Sequence, residues 1–473
     1  MFMNTPSERP PRVHFSGIGG TGMVAVARLA VEAGWEVRGS DNPLYPPTSD
    51  MVAALGVPVS EGYDASNLDW EPDCVVIGNA LSRGHVEVEA ALERGLRYVS
   101  FPEFLKEAVL RNRQPIAVCG THGKTTTTTL TSYLLHAANL KPGFLIGGQP
   151  LDFEMSSRLG EKGAPFVVEG DEYDTAFFDK RAKFFHYLPR IAVVTSLEFD
   201  HADIYNNIEE IELAFQRLLR QIPKNGHLIL CADSPRAMAL QDHAYSEVCT
   251  YGFHKSADWQ IVMGDVSEEG QMLTIRHKGL EWGQVVSPML GRHNAQNVGA
   301  ALAVAALHNI DADTALNAVA RFKGIKRRME IFHRTAEKIF IDDFAHHPTA
   351  IEETVLACRQ RWPNHHLMVL IEPRSNTMAT NQHQDEFPEA LALAEEVIIG
   401  PIFREERYPK DTVLNRQALV NALIQNGKAA SFTDKVDTIL DHLQMSKHEK
   451  EIVLILSNGA FDGIYEKIRA RFN

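Results

Sequence analysis

Cysteine is scarce in this sequence and is scattered along it. The five cysteines are Cys74, Cys119, Cys231, Cys249 and Cys358, and no two of them form a C-x-x-C pair. This distribution argues against a disulfide framework and against a zinc site. It is typical of a protein that stays in a reducing cytoplasm, which is the location we expect.

Long apolar runs and an excess of basic residues are missing as well. No apolar stretch approaches the length of a membrane span, and the first residues, "MFMNTPSERPPR", lack the apolar core of a signal peptide. The 47 lysines and arginines are outnumbered by 61 aspartates and glutamates, which gives a formal net charge of −14. We therefore expect neither a nucleic-acid nor a membrane partner, and any anionic ligand must be held by local groups.

What the sequence does contain is a repeated alternation of short apolar strand patterns and helical patterns. Its 473 residues exceed the size of a single core, and the alternation restarts near "RNRQP" and near "RFKGIKRRMEIF". Such alternation predicts an α/β fold. We predict three domains: a Rossmann-like domain over residues 1–113, a central P-loop ATPase-like domain over 114–325 and a C-terminal Rossmann-like domain over 326–473.

A glycine-rich turn follows the first strand pattern. The stretch "HFSGIGGTGM" places Gly17, Gly19 and Gly22 in the spacing G-x-G-x-x-G, and Asp41 follows nineteen residues after Gly22. This spacing is typical of turns that hold the diphosphate of a dinucleotide. The residues alone leave two interpretations open, an NAD site or a site for another diphosphate.

A second glycine turn opens the central block. In "VCGTHGKTTT", Gly120, Gly123, Lys124 and Thr125 lie between a strand pattern and a helical pattern. Backbone N–H groups of such a turn bind phosphate oxygens, the lysine supplies a cation for the β- and γ-phosphates, and the threonine hydroxyl can ligate Mg²⁺. Val118 stands where the common P-loop pattern has its first glycine. We expect a nucleotide site here, and a second phosphate-binding turn disfavours an NAD dehydrogenase.

Acidic residues follow the next strand pattern. Glu169 ends it in "FVVEGDEYD" and is followed by Asp171, Glu172 and Asp174. Carboxylates at the carboxyl ends of strands face the ligand crevice of an open α/β sheet, and Mg²⁺ prefers oxygen ligands. We favour Glu169 as a metal ligand, whereas Asp171 and Asp174 fit a solvated acidic loop equally well.

Two further stretches suggest ligand contacts. "TSLEFDHADIY" places Asp200, His201 and Asp203 after another strand pattern, which is consistent with a metal or phosphate role for His201. "LGRHNAQN" places Asn294 and Asn297 at the start of an alanine-rich helix, where their amides can read an adenine edge. Helix capping by Asn294 is the alternative.

Five motifs of this chain occur together in a known order. "GTHGKTTT", "EGDEYD", "GRHNAQN", "KRRME" and "DDFAHHP" resemble those of the ATP-dependent Mur ligases of bacterial peptidoglycan synthesis, and the resemblance covers nearly the whole chain. "HFSGIGGTGM" and "GSDNP" resemble the UDP-binding domain of the members that use UDP-N-acetylmuramate. The resemblance implies ATP, Mg²⁺ and ligase activity through an acyl phosphate. It also implies that a UDP-sugar, not NAD, is bound through Gly17, Gly19, Gly20, Gly22 and Asp41.

The resemblance also assigns roles to residues of the two later blocks. It implies catalytic roles for Lys124, His201, Arg328 and His346. It implies a metal site of Thr125, Glu169 and His201. The implied nucleotide contacts, with the asparagines on adenine and Asp343 on the ribose, are Gly120, Thr121, His122, Gly123, Lys124, Thr125, Thr126, Asn294, Asn297, Arg328 and Asp343.

One position and two motifs narrow the resemblance to a branch of the family. Several Mur ligases carry a carbamylated lysine on the helix after the "DH" motif, where this chain has Phe215, so no carbamate bridge is implied. "EPRSNTMATN" and "SNGAFDGI" resemble members that join UDP-N-acetylmuramate to the recycled tripeptide L-alanyl-γ-D-glutamyl-meso-diaminopimelate. The implied peptide site is Arg374, Ser375 and Asn376, since a guanidinium can pair with a peptide carboxylate. A capped surface turn is the alternative.

Two other functions fit parts of the same pattern. The nearer one is that of UDP-N-acetylmuramate–L-alanine ligase, which would accept free L-alanine in place of the tripeptide. The other is a non-enzymatic nucleotide sensor or an NAD-binding regulator. A sensor would bind ATP and release no phosphate, and an NAD protein would ignore UDP-sugars. No pattern in the sequence specifies an oligomeric state.

Overall fold

The computed structural model describes residues 9–45, 48–199, 204–267 and 269–472. These residues form two compact units. One contains the described residues up to Val262 together with Leu273–Val285 and Gln296–Phe322, and the other contains Met263–Met272, Val286–Ala295 and the chain from Lys323 onward. Within the described part of the chain, none of the helices combines the length and the apolar character needed to cross a membrane.

The N-terminal part of the chain alternates strands and helices. The strands are β1 (Arg12–Ser16), β2 (Glu36–Asp41), β3 (Val59–Glu61), β4 (Cys74–Ile77) and β5 (Tyr98–Ser100). The helices are α1 (Thr21–Glu32), α2 (Thr48–Ala53), α3 (Val86–Glu93) and α4 (Phe101–Ala108). The strands pair in parallel in the order β3-β2-β1-β4-β5, so their carboxyl ends share one edge of the sheet.

Strand β1 separates two buried environments, because successive side chains of a strand point to opposite faces. Val13 and Phe15 belong to the apolar core, where Phe15 meets Phe104 of α4 edge-on with 5.6 Å between ring centroids. His14 and Ser16 alternate with them and are also buried, although they are polar. The first glycine turn therefore begins from a strand that is anchored on both faces.

The central part of the chain contains a larger sheet and a separate hairpin. Its strands are β6 (Gln114–Cys119), β7 (Gly143–Leu145), β8 (Ser157–Arg158), β9 (Pro165–Gly170), β10 (Asp174–Ala176), β11 (Asp179–Ala182), β12 (Ile191–Val194), β13 (His227–Cys231), β14 (Glu247–Gly252), β15 (Trp259–Val266), β16 (Gln271–His277) and β17 (Leu280–Ser287). The sheet order is β17-β16-β15-β14-β13-β12-β6-β9-β7-β8, and β10 pairs with β11 in the antiparallel hairpin. The helices are α5 (Lys124–Ala137), α6 (Ile208–Leu219), α7 (Pro235–Ala239), α8 (Arg292–Leu307) and α9 (Ala312–Arg321).

The strands β13, β12, β6 and β9 lie side by side in parallel and are apolar over most of their length, as expected of strands that are covered on both faces. Helix α5 starts directly after the second glycine turn. Its residues Thr127, Thr128 and Thr129 are fully buried. The hydroxyl of Thr129 donates to the carbonyl of Thr125 at 2.7 Å, which satisfies a polar group inside a buried helix.

The C-terminal part forms a third α/β sheet. Its strands are β18 (Glu330–Arg334), β19 (Lys338–Asp343), β20 (His366–Ile371), β21 (Glu396–Ile399), β22 (Ala429–Phe432) and β23 (Glu451–Leu456). The order is β18-β19-β23-β20-β21-β22, with an antiparallel edge strand β18 and parallel pairing elsewhere. The helices are α10 (Pro348–Arg361), α11 (Asn376–Ala379), α12 (Phe387–Ala390), α13 (Arg416–Gln425), α14 (Val436–Met445) and α15 (Ile464–Arg471).

This third sheet has an apolar core on each face. Val369 of β20 packs in one cluster and its neighbour Leu370 in the other, as the two-residue period of a strand requires. Burial on both faces fixes the register of the central strands. The loops after β19, β20, β21 and β23 are thereby held at the carboxyl edge, where open α/β sheets bind their ligands.

Candidate active site

The second glycine turn connects β6 to α5 and has a backbone that glycine adopts most readily. Gly120 has a φ of +124° and Gly123 a φ of +77°. A Cβ at Gly120 would lie 2.4 Å from Oγ1 of Thr195, and a Cβ at Gly123 would lie 2.4 Å from Oδ1 of Asn297. A side chain at either position would therefore force its neighbour or the turn to shift. The turn, including Thr121 and His122, leads into the N-terminus of α5, where backbone N–H groups are available to an anion.

Lys124 is the first residue of α5 and is held by an acidic partner. Its Nζ donates to both carboxylate oxygens of Glu172, at 2.9 and 3.0 Å, and to the carbonyl of Gly120 at 2.6 Å. Burial acts to lower the pKa of the ammonium, but the charges of Glu172 and Asp171 raise it, and the net shift is upward. Lys124 is thus a fixed cation at the turn. Its pairing with Glu172 was not predicted, because the two residues are 48 positions apart.

Thr125 and Glu169 lie side by side, as a shared metal site requires. Oγ1 of Thr125 donates to Oε1 of Glu169 at 2.9 Å, and the N–H of Gly147 donates to Oε2 at 2.9 Å. Hydroxyl and carboxylate oxygens are hard ligands of the kind that Mg²⁺ prefers, so this donor set fits the ion. Thr126, the next residue of α5, is buried as well.

The other acidic residues of this segment have partners of their own. Oδ2 of Asp171 lies 2.5 Å from Nζ of Lys183. Burial acts to raise the pKa of Asp171, but Lys183 and Lys124 outweigh it and lower the pKa overall. Oδ1 of Asp174 accepts a hydrogen bond from Nδ2 of Asn79 at 3.0 Å, which ties the hairpin β10–β11 to the N-terminal part of the chain. Both carboxylates are therefore structural partners rather than merely solvated.

The "DH" motif, with Asp200, His201 and Asp203, lies outside the described residues, and the roles of His201 stay predictions. The helix that follows it is described. Phe215 of α6 is only 1% exposed, and its ring centroid lies 5.2 Å from that of Phe184. An apolar core contact thus occupies the position at which several Mur ligases carry the modified lysine.

Asn294 and Asn297 both belong to α8 and make different contacts. Oδ1 of Asn297 accepts a hydrogen bond from the hydroxyl of Thr127 at 3.0 Å, which links α8 to α5 next to the glycine turn. Nδ2 of Asn294 donates to the carbonyl of Leu290 at 2.8 Å. Because α8 begins at Arg292, Asn294 lies inside the helix and not at its cap. The adenine contacts of both residues stay predictions.

The first glycine turn connects β1 to α1 and is tied to the end of β2. Gly17, at a φ of +81°, donates its N–H to the carbonyl of Ser40 at 2.9 Å. The N–H of Gly19 donates to Oδ2 of Asp41 at 2.7 Å, and the hydroxyl of Tyr63 donates to Oδ1 at 2.9 Å. The structure thus brings Asp41 to the turn. The other glycines of the motif, Gly20 and Gly22, lie at the start of α1.

A buried acidic residue supports this first turn and was not predicted. Glu87 is 0% exposed and accepts hydrogen bonds from Ser16 and Ser40, both at 2.6 Å, and from Asn67 at 2.7 Å. Its Oε2 lies 3.5 Å from Nε2 of His14. Burial acts to raise the pKa of Glu87, but these contacts lower it to about 2. The available signal was the polar pair His14 and Ser16, which alternates with the apolar Val13 and Phe15 along β1.

The "KRRME" and "DDFAHHP" motifs come together in the C-terminal unit. Asp343 ends β19 and is buried, and its Oδ2 accepts a hydrogen bond from the N–H of Met329 at 2.7 Å. Cζ of Arg328 lies 5.1 Å from the ring centroid of Phe344, a cation–π contact. Nδ1 of His346 lies 3.1 Å from the carbonyl of Phe344. Three of the predicted site residues are thus grouped at the carboxyl end of β19.

Arg374, Ser375 and Asn376 follow the carboxyl end of β20. The hydroxyl oxygen of Ser375 accepts a hydrogen bond from the N–H of Met378 at 3.2 Å and caps α11, which matches the alternative of a capped turn for this residue. Cζ of Arg374 lies 3.6 Å from the ring centroid of Phe403. The substrate contacts of these three residues stay predictions.

Three successive segments of the chain match protein families. Residues 12–113 match the Mur ligase family catalytic domain, residues 118–305 the Mur ligase middle domain and residues 327–459 the Mur ligase glutamate ligase domain. Their order is the order of the three sheets. The predicted α/β fold of three domains is therefore confirmed.

Individual relatives match over almost the entire chain. The UDP-N-acetylmuramate–L-alanyl-gamma-D-glutamyl-meso-2,6-diaminoheptandioate ligase of Escherichia coli (strain K12) is 38% identical over 463 residues, which cover 97% of each chain. A murein peptide ligase structure from Psychrobacter arcticus 273-4 is 36% identical, covers 97% of this chain and 98% of its own, and has a TM-score of 0.70. The UDP-N-acetylmuramate-alanine ligase structure from Thermotoga maritima is 23% identical with a TM-score of 0.78, covers 98% of this chain and 99% of its own, and shares the fold.

Membership of one family accounts for the presence of two glycine turns of the phosphate-binding kind and a third α/β unit in the same chain. The family matches and the Escherichia coli relative extend over far more than half of the sequence. They confirm the predicted resemblance and the predicted ligase class. This chain belongs to the Mur ligase family, whose members are ATP-dependent ligases that form amide bonds.

Proposed function

We propose that this chain joins the lactyl carboxylate of UDP-N-acetylmuramate to the tripeptide L-alanyl-γ-D-glutamyl-meso-diaminopimelate at the expense of ATP. The Escherichia coli relative is named for this pair of substrates, and the Psychrobacter arcticus relative is named a murein peptide ligase. The observation on this chain that carries the proposal is the second glycine turn, where Lys124 and the Thr125–Glu169 pair are already in place.

We assign one substrate to each predicted domain. The UDP-sugar belongs to residues 1–113, with Gly17, Gly19, Gly20, Gly22 and Asp41 at its diphosphate. ATP belongs to residues 114–325, and the amine substrate to residues 326–473. We retain the roles implied by the motifs for the remaining residues: Asn294 and Asn297 at adenine, Asp343 at the ribose, Arg328 at phosphate, and His201 and His346 in catalysis.

The proposed reaction has two steps. A carboxylate oxygen attacks the γ-phosphorus, the bond from that phosphorus to the bridging oxygen breaks, and ADP leaves. The amine of the alanyl residue then attacks the acyl carbon, the bond from that carbon to the phosphate oxygen breaks, and inorganic phosphate leaves while the nitrogen gives up its proton. A free carboxylate acylates poorly, and phosphorylation turns its oxygen into a good leaving group.

Neutralising charge is the main task of the residues at the second turn. A triphosphate and a carboxylate repel each other, and Lys124 together with the N-terminus of α5 offsets that repulsion. Glu172 keeps Lys124 charged and oriented. Thr125 and Glu169 would hold Mg²⁺, which supplies Lewis-acid stabilisation of the phosphoryl oxygens when bound.

Replacement of Lys124 tests this proposal. Lys124→Ala should lower the rate of phosphate release with all three substrates by about a hundredfold or more, because one preorganised charge at the transferred group is removed. Lys141→Ala is the matched control, since Lys141 is an exposed lysine paired with Glu161. Mass spectrometry of the UDP-linked product identifies the bond formed. Phosphate release by Lys124→Ala at the wild-type rate would overturn the assignment of the turn.

A further inference from the structure

The amino edge of the C-terminal sheet carries polar side chains where one of its apolar faces ends. On β20, Met368 and Leu370 pack in the core that is covered by α14 and α15, and the two-residue period places His366 on the same face. On the neighbouring strand β23, Glu451 begins the row that continues with Val453, and it pairs in register with His366. This edge is opposite to the carboxyl edge, where open α/β sheets bind their ligands.

Two imidazole rings and one buried carboxylate meet at this edge, and we call His366, His448 and Glu451 the amino-edge cluster. The ring of His448, which precedes β23, stacks on that of His366 with 3.7 Å between centroids and 10° between planes. One nitrogen of each imidazole and one oxygen of Glu451 lie within 4.8 Å of one another. Nε2 of His366 is buried and has no hydrogen-bond partner in the described ranges, which is unfavourable for a polar atom. The cluster thus combines metal-binding atoms with an unsatisfied one.

Glu451 is held in place and still has acceptor capacity. Its side chain is fully buried, its Oε1 accepts a hydrogen bond from the hydroxyl of Ser446 at 2.9 Å, and its Oε2 pairs with the ammonium of Lys338. A carboxylate has about four lone-pair sites, so these two contacts leave room for a metal ion. With Glu396 on β21, two carboxylates face one ammonium here, and a bound cation would offset the remaining negative charge.

Glu396, at the amino end of β21, lies beside the imidazole of His366. Its Oε2 is 3.4 Å from Nε2 of His366, and its Oε1 is 2.6 Å from Nε2 of His442 on α14. A metal bound to one nitrogen of a neutral imidazole leaves the proton on the other nitrogen, and a carboxylate commonly accepts that proton in a hydrogen bond and fixes the ring. The position of Glu396 suits this role toward His366.

We propose that His366, His448 and Glu451 bind a divalent transition metal of the Zn²⁺ type, with Glu396 as a positioning residue. Zn²⁺ takes imidazole nitrogens and carboxylate oxygens, and a water completes its tetrahedron when the protein supplies three ligands. Bonds of about 2.0–2.1 Å require donor atoms about 3.4 Å apart, and the exposed ring of His448 can turn inward to meet that spacing. The cluster contains no thiolate, so the scattered cysteines, which argued against a zinc site, do not bear on it.

The metal would fasten the C-terminal sheet and take no part in the ligation. It would join β20 to β23 and to the segment between α14 and β23, which are distant from β20 in the sequence. The loops that carry the proposed amine-substrate residues leave the carboxyl ends of the same strands, at the other edge. This inference therefore goes beyond the proposed function and does not depend on it.

Zn²⁺ titration of the full chain by isothermal titration calorimetry tests this proposal. Millimolar Mg²⁺ is present throughout and occupies sites made of oxygen ligands. The wild type should bind Zn²⁺ at the cluster with one-to-one stoichiometry, and His448→Ala and His366→Gln should each weaken this binding about a hundredfold, whereas Glu396→Gln should weaken it about tenfold. The matched control is His254→Ala, because His254 is an exposed imidazole that contacts Ser256 in its own loop. Circular dichroism verifies that each variant is folded.

The outcomes separate this inference from the proposed function. Equal Zn²⁺ affinity in the wild type, His448→Ala and His366→Gln would show that the ion binds elsewhere, and an equal loss in His254→Ala would show that surface imidazoles in general bind it; either result overturns the site. Failure of the wild type to bind Zn²⁺ below millimolar concentrations also overturns it. Phosphate release with Mg-ATP should be unchanged in all of these variants. If the wild type binds Zn²⁺ but does not ligate the tripeptide, the site stands and the proposed function fails.

Discussion

The single residue Glu87 shows how a buried charge supports the first glycine turn. Its hydrogen bonds from Ser16 and Ser40 connect the ends of β1 and β2, which carry the glycine turn and Asp41. Its pKa lies at about 2 in the folded protein, against a usual value of 4.5. Such a carboxylate stabilises the fold above about pH 4.5, and that stabilisation is lost as the pH falls toward 2.

Removing this charge is therefore predicted to change the pH dependence of stability. At about 1.4 kcal/mol per pKa unit, Glu87→Gln should lower the free energy of unfolding at pH 7 by about 3 kcal/mol. The loss of wild-type stability between pH 5 and pH 3 should be shallower in the variant. Urea unfolding followed by circular dichroism at several pH values measures both effects. Glu93→Gln, at an exposed position of the same helix, is the control, and equal pH slopes for wild type and Glu87→Gln would contradict the account.

The proposed Mg²⁺ site of Thr125 and Glu169 predicts how much Mg²⁺ its variants need for activity. Thr125→Val removes a hydroxyl and Glu169→Gln removes a charge from the same oxygen donor set. Each variant should need about tenfold more Mg²⁺ for half-maximal phosphate release. Thr131→Val is the control, since Thr131 lies two turns further along α5 and away from the turn. An unchanged Mg²⁺ titration in both variants would show that the ion is held elsewhere.

At the scale of elements, the turn between β6 and α5 depends on the space around its glycines. Gly123→Ala places a methyl group 2.4 Å from Oδ1 of Asn297, whereas Gly34→Ala, at a similar φ of +87°, meets no atom within 4 Å. Both variants should lose about 1 kcal/mol of stability from the left-handed backbone. Only Gly123→Ala should also raise the KM for ATP, by about tenfold, because only its turn must shift. Equal KM values for the two variants would contradict this function of the turn.

The sequence predicted the central elements better than the peripheral ones. β6 begins at the restart that the alternation indicated near "RNRQP", and β19 has an apolar centre directly before the "DDFAHHP" motif. The hairpin strand β11 reads Asp-Lys-Arg-Ala, and β15 is buried only at its amino end, so neither has the apolar pattern on which the prediction depended. Their positions are set by tertiary contacts that a local pattern does not contain.

The site residues could be predicted where they lie close together in the sequence. Gly120, Gly123, Lys124 and Thr125 stand within a few residues of one another, and the motif itself indicates a phosphate. The partnerships of Lys124 with Glu172 and of Arg374 with Phe403 join residues from different loops. These depend on the order of strands in a sheet, which the spacing of motifs does not specify.

At the scale of the whole molecule, the N-terminal and central parts belong to one compact unit although they carry separate sheets. The hairpin β10–β11 provides one reason: Phe178, which follows β10, meets Tyr98 of β5 with 5.0 Å between ring centroids, and Asp174 bonds to Asn79. This hairpin follows directly after Glu169 and Glu172. The predicted UDP-sugar and ATP segments are therefore connected through the acidic segment at the end of β9.

The activity proposed for this chain is the addition of a preformed peptide to the carboxylate of UDP-N-acetylmuramate. The most direct measurement compares kcat/KM for the tripeptide and for L-alanine with Mg-ATP and UDP-N-acetylmuramate present, following phosphate release and the mass of the product. We predict that the tripeptide is preferred by at least about a hundredfold, with one phosphate released per product formed. An equal or better reaction with L-alanine would identify an alanine-adding ligase, and no phosphate release with either amine would contradict ligase activity toward both.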